Sequence, residues 1–202
     1  MSKTTNTSHV SRRAFLSKTL LGTAGLICGA SSQSQAFLGF SHPGQVLPQE
    51  WVEKQSQETL KYANYINKKV GLKYVSIPNF IQSHFKSRRS VSNHIPPTYL
   101  WRNIVDNLAV IDKLAEDLNC KPVIISAYRD PAYNRTCFGA SSKSYHLHNQ
   151  AVDVKFPGHS TWKVASYAKK LRRNGWFKGG IGIYSSFVHI DTRGYDANWV
   201  KR

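Results

Sequence analysis

The chain has 202 residues, with 28 lysines and arginines against 11 acidic residues and a formal net charge of +17 at pH 7. This length suits a single domain with one sizeable hydrophobic core. The cationic excess favours a polyanionic partner, namely nucleic acid, anionic lipid or a carboxylate-bearing wall polymer, whereas dispersed basic pairs on solvated faces are the alternative explanation.

The first 36 residues are predicted to be an export signal. The segment Ser11–Leu16 contains the pair Arg12 and Arg13 and resembles a twin-arginine signal. A short apolar run over Leu20–Ala30 and the small residues Ser34–Ala36 supply its other parts. The run is too short to span a bilayer comfortably, although a membrane-anchored N-terminus is the alternative. A protein exported to the periplasm rarely meets nucleic acid, so a wall polymer or an anionic surface is the better candidate.

Residues 37–72 are predicted to form a linker and a polar helix that precede the domain. Glycine, proline and small residues over 37–48 favour the linker. Residues 49–70 are partly periodic and end at Gly71, which predicts a solvated helix suited to a spacer. The domain itself is assigned to residues 73–202.

The first half of this domain is predicted to supply a core helix. Residues 73–94 are basic and irregular, with Phe80 and Phe85 expected to anchor them on the core. A helix then opens at Pro96 and Pro97 and extends to about residue 119. Its apolar stripe is typical of a core-facing helix and consists of Leu100, Ile104, Leu108, Ile111 and Leu114.

The second half is predicted to supply the sheet. A buried strand over residues 123–126 leads into a long loop over residues 127–144. Asp153 lies in the next strand, Ser160 can cap the following helix, and His189 lies in the last strand. The order strand, loop, strand, helix, strand predicts an α+β domain with a small, mainly antiparallel sheet flanked by helices.

Two short segments carry the residue types of a metal site. In the last strand, alternation places His189 and Asp191 on one face. The same alternation places Asp153 on the face opposite its valine neighbours. With His146, these residues offer two imidazoles and a carboxylate, which suit a tetrahedral metal that keeps a fourth position for water. Chance spacing among eight histidines is the alternative.

Two other chemistries are disfavoured. The glycine-rich segment Gly179–Gly182 lacks the Lys-Ser/Thr pair and the following helix of a phosphate loop, which argues against nucleotide binding. Ser144 could be a nucleophile beside His146. A histidine committed to a metal cannot serve as its base, however, and no third orienting group is evident.

The motifs around these residues resemble a known family. The pattern of Ser144, His146, Asn149 and Asp153, followed by His189, is similar to that of the metallopeptidases of the D-alanyl-D-alanine carboxypeptidase and murein endopeptidase group. The twin-arginine-exported murein endopeptidases share further motifs, which occur here as Tyr128–Asn134, Gly179–Tyr184 and Phe187–Thr192. The resemblance covers about residues 75–200. Asn149 departs from the usual glycine, but asparagine tolerates a left-handed backbone at modest cost.

The resemblance implies a fold of the D-Ala-D-Ala metallopeptidase and hedgehog type. It implies Zn²⁺ held by His146, Asp153 and His189, and an endopeptidase that hydrolyses the peptide cross-links of peptidoglycan. A D-alanyl carboxypeptidase and a catalytically silent murein-binding protein are the alternatives. Nucleic-acid binding is disfavoured, because the chain has an export signal and no recognised binding motif.

Three further residues are assigned expected roles around the metal. Asp191 is the candidate general base, with orientation of a ligand imidazole as the alternative. Arg129 is expected to grip a substrate carboxylate or to stabilise an oxyanion, with a structural ion pair to Asp130 or another acid as the alternative. Ser144 is expected to contact the substrate. Wider relatives have an acid three residues before the last histidine, where this chain has Ser186.

Cys120 and Cys137 are predicted to form a disulfide, because an exported protein folds in an oxidising compartment. In the chain-entropy description such a bridge would stabilise the fold by about 3 kcal/mol. Two free, buried thiols are the alternative.

Overall fold

The computed structural model describes residues 44–201. The predicted export signal over residues 1–36 and the first part of the predicted linker lie outside the described residues. In the span from 44 to 201, the helices are too short or too polar for any of them to cross a membrane.

The described part of the chain alternates helices with short strands. Its α-helices are α1 (Gln49–Val52), α2 (Gln57–Val70), α3 (Ile77–Gln82), α4 (Val105–Leu118), α5 (Pro131–Thr136) and α6 (Thr161–Arg173). Its strands are β1 (Ser87–Arg88), β2 (Val91–Ser92), β3 (Val123–Ser126), β4 (Ala151–Lys155), β5 (Gly180–Ile183), β6 (Val188–Asp191) and β7 (Ala197–Val200). Two 3-10 helices span Thr98–Ile104 and Tyr145–His148.

The main sheet has five strands in the order β3-β4-β6-β5-β7, and β1 and β2 form a separate hairpin. Three pairings are antiparallel, but β7 runs parallel to β5. The α+β class is therefore confirmed, whereas the expected mainly antiparallel sheet is corrected to a mixed one. Both edges of β6 are already occupied, so the chain reverses after β6 and adds β7 to the free edge of β5.

One face of the sheet is covered by helices and holds the core. Helices α4 and α6 pack against each other and against this face. The sheet residues beneath them are almost completely buried and are Val152, Val154, Ile181, Val188 and Ile190. Burial of each such side chain contributes about 1.5–3 kcal/mol. The intervening residues of β4 and β6 face the other side, where Asp153 lies directly opposite His189.

Helix α2 belongs to the core and is not a solvated spacer. Tyr62, Ala63 and Ile66 are fully buried. Ser56 caps the start of α2, and Gly71 ends it in the left-handed conformation at φ 63°. The single helix expected over residues 49–70 is in fact α1 and α2, separated by a turn. Only part of α2 faces the core, so its polar composition concealed this contact.

The expectations for the middle of the chain are met in part. The irregular segment 73–94 contains α3 and the β1–β2 hairpin; Phe80 is buried as expected, but Phe85 is 42% exposed. The long helix begins as a 3-10 turn and becomes α4, which ends at a left-handed Asn119. The strand β3 and the Ser160 cap of α6 are confirmed.

The predicted disulfide between Cys120 and Cys137 is absent from the described residues, and both thiols are free. The Cys120 thiol contacts the carbonyl oxygen of Pro157 at 3.2 Å, and the Cys137 thiol contacts that of Tyr133 at 3.5 Å. Cys120 precedes β3 and Cys137 follows α5, so a strand and a helix separate them. Each thiol has its own local carbonyl partner in place of a bridge.

Candidate metal centre

The turn that carries His146 is shaped by the residues on either side of it. The Ser144 hydroxyl accepts a hydrogen bond from the His146 amide at 3.4 Å and caps the 3-10 helix. Asn149 ends the turn in the left-handed region at φ 53°, which confirms the expected tolerance of asparagine there. Its side-chain amide donates to the Leu100 carbonyl at 3.1 Å and to the Tyr62 hydroxyl at 3.3 Å. Asparagine thus ties the turn to α2, which glycine could not do.

The three predicted ligand residues come together in a buried cluster. The His146 Nε2 atom lies 3.2 Å from Asp153 Oδ1 and 3.2 Å from His189 Nδ1, and the last two atoms are 2.9 Å apart. Nitrogen and oxygen ligands of a tetrahedral zinc, at about 2.0–2.1 Å from the ion, are about 3.3 Å from one another. The spacing of the donor atoms therefore fits one face of such a tetrahedron.

Each ligand residue is also held on its far side. His146 Nδ1 donates to the Ala127 carbonyl at 2.5 Å, which leaves the Nε2 lone pair for a metal. His189 Nε2 donates to Asp191 Oδ2 at 3.0 Å, which leaves Nδ1. Asp153 Oδ2 accepts from Arg129, which leaves Oδ1. Such outer partners fix the orientation of metal ligands and are a regular part of metal sites.

The electrostatics keep two of the three residues in the form that a metal requires. Burial lowers the pKa of His146, partly offset by Asp153, and so favours the neutral imidazole. Burial alone would raise the pKa of Asp153, but the two imidazoles and Arg129 outweigh it and hold that pKa well below its usual value. For His189, hydrogen bonds to two carboxylates outweigh burial and raise the pKa.

Comparison with known proteins assigns the domain that contains this cluster to a family. The family model described as Peptidase M15 matches residues 73–191. The chain belongs to the peptidase M15 family. All three candidate ligands lie within or at the edge of the matched segment, so the cluster is part of the M15 domain.

Curated relatives match a shorter part of the chain. The probable peptidoglycan L,D-endopeptidase MepK of Haemophilus influenzae is 35% identical over 80 residues, which are 37% of this chain and 40% of the relative. The peptidoglycan L,D-endopeptidase MepK of Escherichia coli K12 is 38% identical over 79 residues, which are 36% and 41% of the two chains. The matched segment thus covers about two fifths of these relatives. No solved structure matches the chain.

Asp191 lies buried within the M15 domain, next to the candidate ligand His189. Its side chain is fully buried and contacts His189 on one side. It also accepts from the Gly180 amide at 2.9 Å and from two guanidinium nitrogens of Arg193 at 2.8 and 2.6 Å. Burial would raise its pKa, but these hydrogen bonds lower it. These contacts fit the alternative role, orientation of a ligand imidazole, and the general-base role stays a prediction.

Arg193 was not singled out from the sequence. Its guanidinium carbon lies 4.2 Å from the ring centroid of Tyr145, 5.3 Å from that of Trp199 and 5.6 Å from that of Tyr195. A side chain at Gly180 would collide with this assembly. The sequence could have indicated Arg193 only by its position directly after the motif that contains His189. Its contact with Trp199 depends on the pairing of β5 with β7.

Arg129 forms an ion pair within the domain, as one alternative allowed. Its Nη2 atom contacts Asp153 Oδ2, and its Nε donates to the Ser126 hydroxyl at 2.8 Å. The partner is a candidate metal ligand rather than Asp130, whose carboxylate caps α5 and lies 3.5 Å from His94. Arg129 therefore orients Asp153 in this structure. Ser144 is likewise occupied as a cap, and its substrate contact stays a prediction.

Proposed function

We propose that this chain is a zinc-dependent murein endopeptidase that hydrolyses peptide cross-links of peptidoglycan. The observation that carries the proposal is the spacing of the donor atoms of His146, Asp153 and His189, which matches three corners of a zinc tetrahedron. Membership of the peptidase M15 family supports peptide hydrolysis. The similar MepK proteins are named as peptidoglycan L,D-endopeptidases, which supports peptidoglycan as the polymer.

In this proposal the chain prepares the site before any substrate arrives. Ala127 and Asp191 fix the tautomers of the two imidazoles, and Arg129 fixes the rotation of the Asp153 carboxylate. Zinc held there would supply Lewis acidity to a peptide carbonyl and to the water that hydrolyses it. Because the ligands are already in place, little reorganisation is needed when the metal binds.

Arg193 and Asp191 act together in the proposed site as positioning residues. The bidentate contact between them holds the carboxylate in one orientation, and the aromatic rings around Arg193 limit its movement. Asp191 in turn presents Nδ1 of His189 to the metal. This chain of contacts accounts for the full burial of an acid that touches no substrate-accessible surface.

The proposed setting is the periplasm, reached through the twin-arginine signal over residues 1–36. Residues 1–36 hold four of the basic residues and no acid, so the remaining chain keeps a net charge of +13, which is consistent with a wall polymer that carries carboxylates. The substrate and the compartment support each other, because peptidoglycan lies outside the inner membrane.

The test is digestion of purified, cross-linked muropeptides by the zinc-loaded mature protein, followed by mass analysis. Endopeptidase activity converts a cross-linked dimer into two monomers without loss of alanine. Release of terminal D-alanine alone would identify a carboxypeptidase instead. Binding of zinc and muropeptide without any cleavage would identify a silent binding protein and reject the proposed enzyme.

A further inference from the structure

The β1–β2 hairpin carries cations on the side of the metal centre where Arg129 lies. We use the name basic hairpin for residues 86–92, which include Lys86, Arg88 and Arg89. These three side chains are exposed. Within residues 44–201, none of the three forms an ion pair with a carboxylate. Their charge is therefore available to a ligand.

The basic hairpin is fixed to the segment that carries Arg129. Asn93 is buried and donates to the Tyr128 carbonyl at 2.9 Å, while its side-chain oxygen accepts from the Asp130 amide at 2.9 Å. These two contacts fall on either side of Arg129. The Lys86 amine donates to the carbonyl of Ile125 in β3. The hairpin thus keeps a defined position beside the metal centre and is not a free loop.

The pKa of Lys86 responds to charges at the metal centre, because the hairpin lies close to Arg129 and Asp153. Burial lowers its pKa, the charge of Arg129 lowers it further, and Asp153 acts in the opposite direction. Lys86 therefore lies within electrostatic reach of a candidate ligand carboxylate. Since Asp153 is already paired with Arg129, the side of the site formed by the hairpin retains net positive charge.

The tip of the basic hairpin has a strained backbone. Arg89 and Ser90 are consecutive non-glycine residues with positive φ, at 48° and 62°. Each such residue costs about 1–2 kcal/mol relative to a right-handed conformation. Strain of this kind persists where the surroundings enforce it and is concentrated at functional sites. The turn places an arginine where glycine or asparagine would be easier to accommodate.

We propose that Lys86, Arg88 and Arg89 form a subsite that binds a carboxylate group of the peptide substrate beside the metal centre. The inference rests on the proposed function, because it takes the substrate to be a murein peptide. Guanidinium groups suit carboxylates through paired, charge-assisted hydrogen bonds. A free peptide carboxylate that occupies this subsite would set the position of the scissile bond relative to His146, Asp153 and His189.

The test compares matched charge removals on two muropeptides. One substrate carries a free stem-peptide carboxylate, and the other has the same group amidated. The hairpin variant is Arg88→Gln with Arg89→Gln, and the control is Lys170→Gln with Arg173→Gln, which removes the same charge from exposed positions on α6. Helix α6 covers the opposite face of the sheet.

The hairpin variant should raise KM on the carboxylate substrate by about 10-fold or more, as expected for loss of a charge-assisted hydrogen bond. Its kcat should change little, its KM on the amidated substrate should equal that of wild type, and the control variant should change neither. Equal effects of the two variants, or equal effects on the two substrates, would overturn the subsite. So would a hairpin variant that keeps its KM but no longer binds vesicles of anionic phospholipid.

The same substrates separate this proposal from the proposed function. If the wild-type protein cleaves neither muropeptide, the enzymatic proposal fails, and equilibrium binding of the pair then tests the subsite. A preference of about 10-fold for the free carboxylate that disappears in the hairpin variant supports it. Equal affinity of wild type for the two muropeptides rejects it.

Discussion

Two clusters of charge flank the candidate metal centre, and they differ in how fully their groups are paired. On the β6 side, Asp191 and Arg193 satisfy each other, with the Gly180 amide and three aromatic rings completing the shell. On the β3 side, the basic hairpin presents arginines without carboxylate partners within residues 44–201. In our proposals the saturated, buried cluster holds the candidate ligand His189 in place, whereas the unsaturated, exposed cluster is available to an incoming anion.

The largest effect is expected from replacing the three candidate metal ligands, which lie between the two clusters. His146→Ala, Asp153→Ala and His189→Ala each leave two donors, which is too few to retain zinc. Purified protein should fall from about one zinc per chain to almost none and lose its peptidase activity. Metal analysis of each variant after gel filtration measures this. Full zinc occupancy in all three variants would refute the ligand assignment.

A second prediction concerns the buried residue beneath the basic hairpin. His84 is fully buried, its carbonyl accepts from Asn93 at 3.0 Å, and burial lowers its pKa to about 4. Above pH 6.5 the imidazole is neutral in both folded and unfolded chains. As the pH falls from 6.5 to 4, only the unfolded chain takes up the proton, so the free energy of unfolding decreases, by about 3 kcal/mol in total.

Urea denaturation at pH 7.5 and pH 4.5 checks this prediction. Wild type should lose about 2.5 kcal/mol more than His84→Gln between the two values, because glutamine does not titrate. The exposed His148→Gln is the matched control and should keep the wild-type dependence. If His84→Gln and wild type lose the same stability, the buried histidine is not the source of acid sensitivity.

A third prediction tests whether Arg193, in the saturated cluster, supports zinc binding by positioning Asp191. Arg193→Gln removes the bidentate contact to Asp191 and should weaken zinc affinity by about 10–100-fold. Arg193→Lys keeps the charge but not the paired geometry, so it should restore little of the loss. Competition with a chelator measures the affinity, and Arg173→Gln on α6 serves as the control for charge. Unchanged affinity in both Arg193 variants would remove the positioning role.

The companion variant Asp191→Asn separates the two roles weighed for this acid. Loss of a positioning carboxylate should weaken zinc binding by about 10–100-fold. Loss of a general base should instead leave zinc binding tight and slow turnover by about 10²–10⁴-fold. Zinc affinity and turnover measured on one preparation distinguish these results, and the buried position of Asp191 predicts the first.

The smallest effect is expected at the tip of the unsaturated cluster. Ser90→Gly removes a side chain from a left-handed position at φ 62° and should stabilise the fold by about 1 kcal/mol. Thermal or urea denaturation measures the gain, with Ser92→Gly in β2 as a control that should bring none. A destabilised Ser90→Gly would mean that the turn conformation carries no strain.

The sequence by itself determined the local parts of this protein. The apolar stripe of α4, the Ser160 cap and the alternation around His189 depend on neighbouring residues, so their elements were predictable. The grouping of His146, Asp153 and His189 was predictable for a related reason, because their spacing occurs in ordered motifs, and their role as metal ligands stays a prediction. The left-handed conformation of Asn149 was expected from the glycine usual at this position in the family, which asparagine can replace.

Tertiary structure decided what depends on residues far apart in the chain. The burial of α2 depends on partners such as Trp101, and the parallel pairing of β7 depends on which edge of the sheet remains free. The two free cysteines depend on the separate carbonyl partners that the fold gives them. The role favoured for Asp191 follows from Arg193, which lies two residues further along the chain, and from the Gly180 amide, which the pairing of β5 with β6 brings to it. Local chemistry specifies elements and motifs, whereas the partner of a buried charge is set by packing between elements.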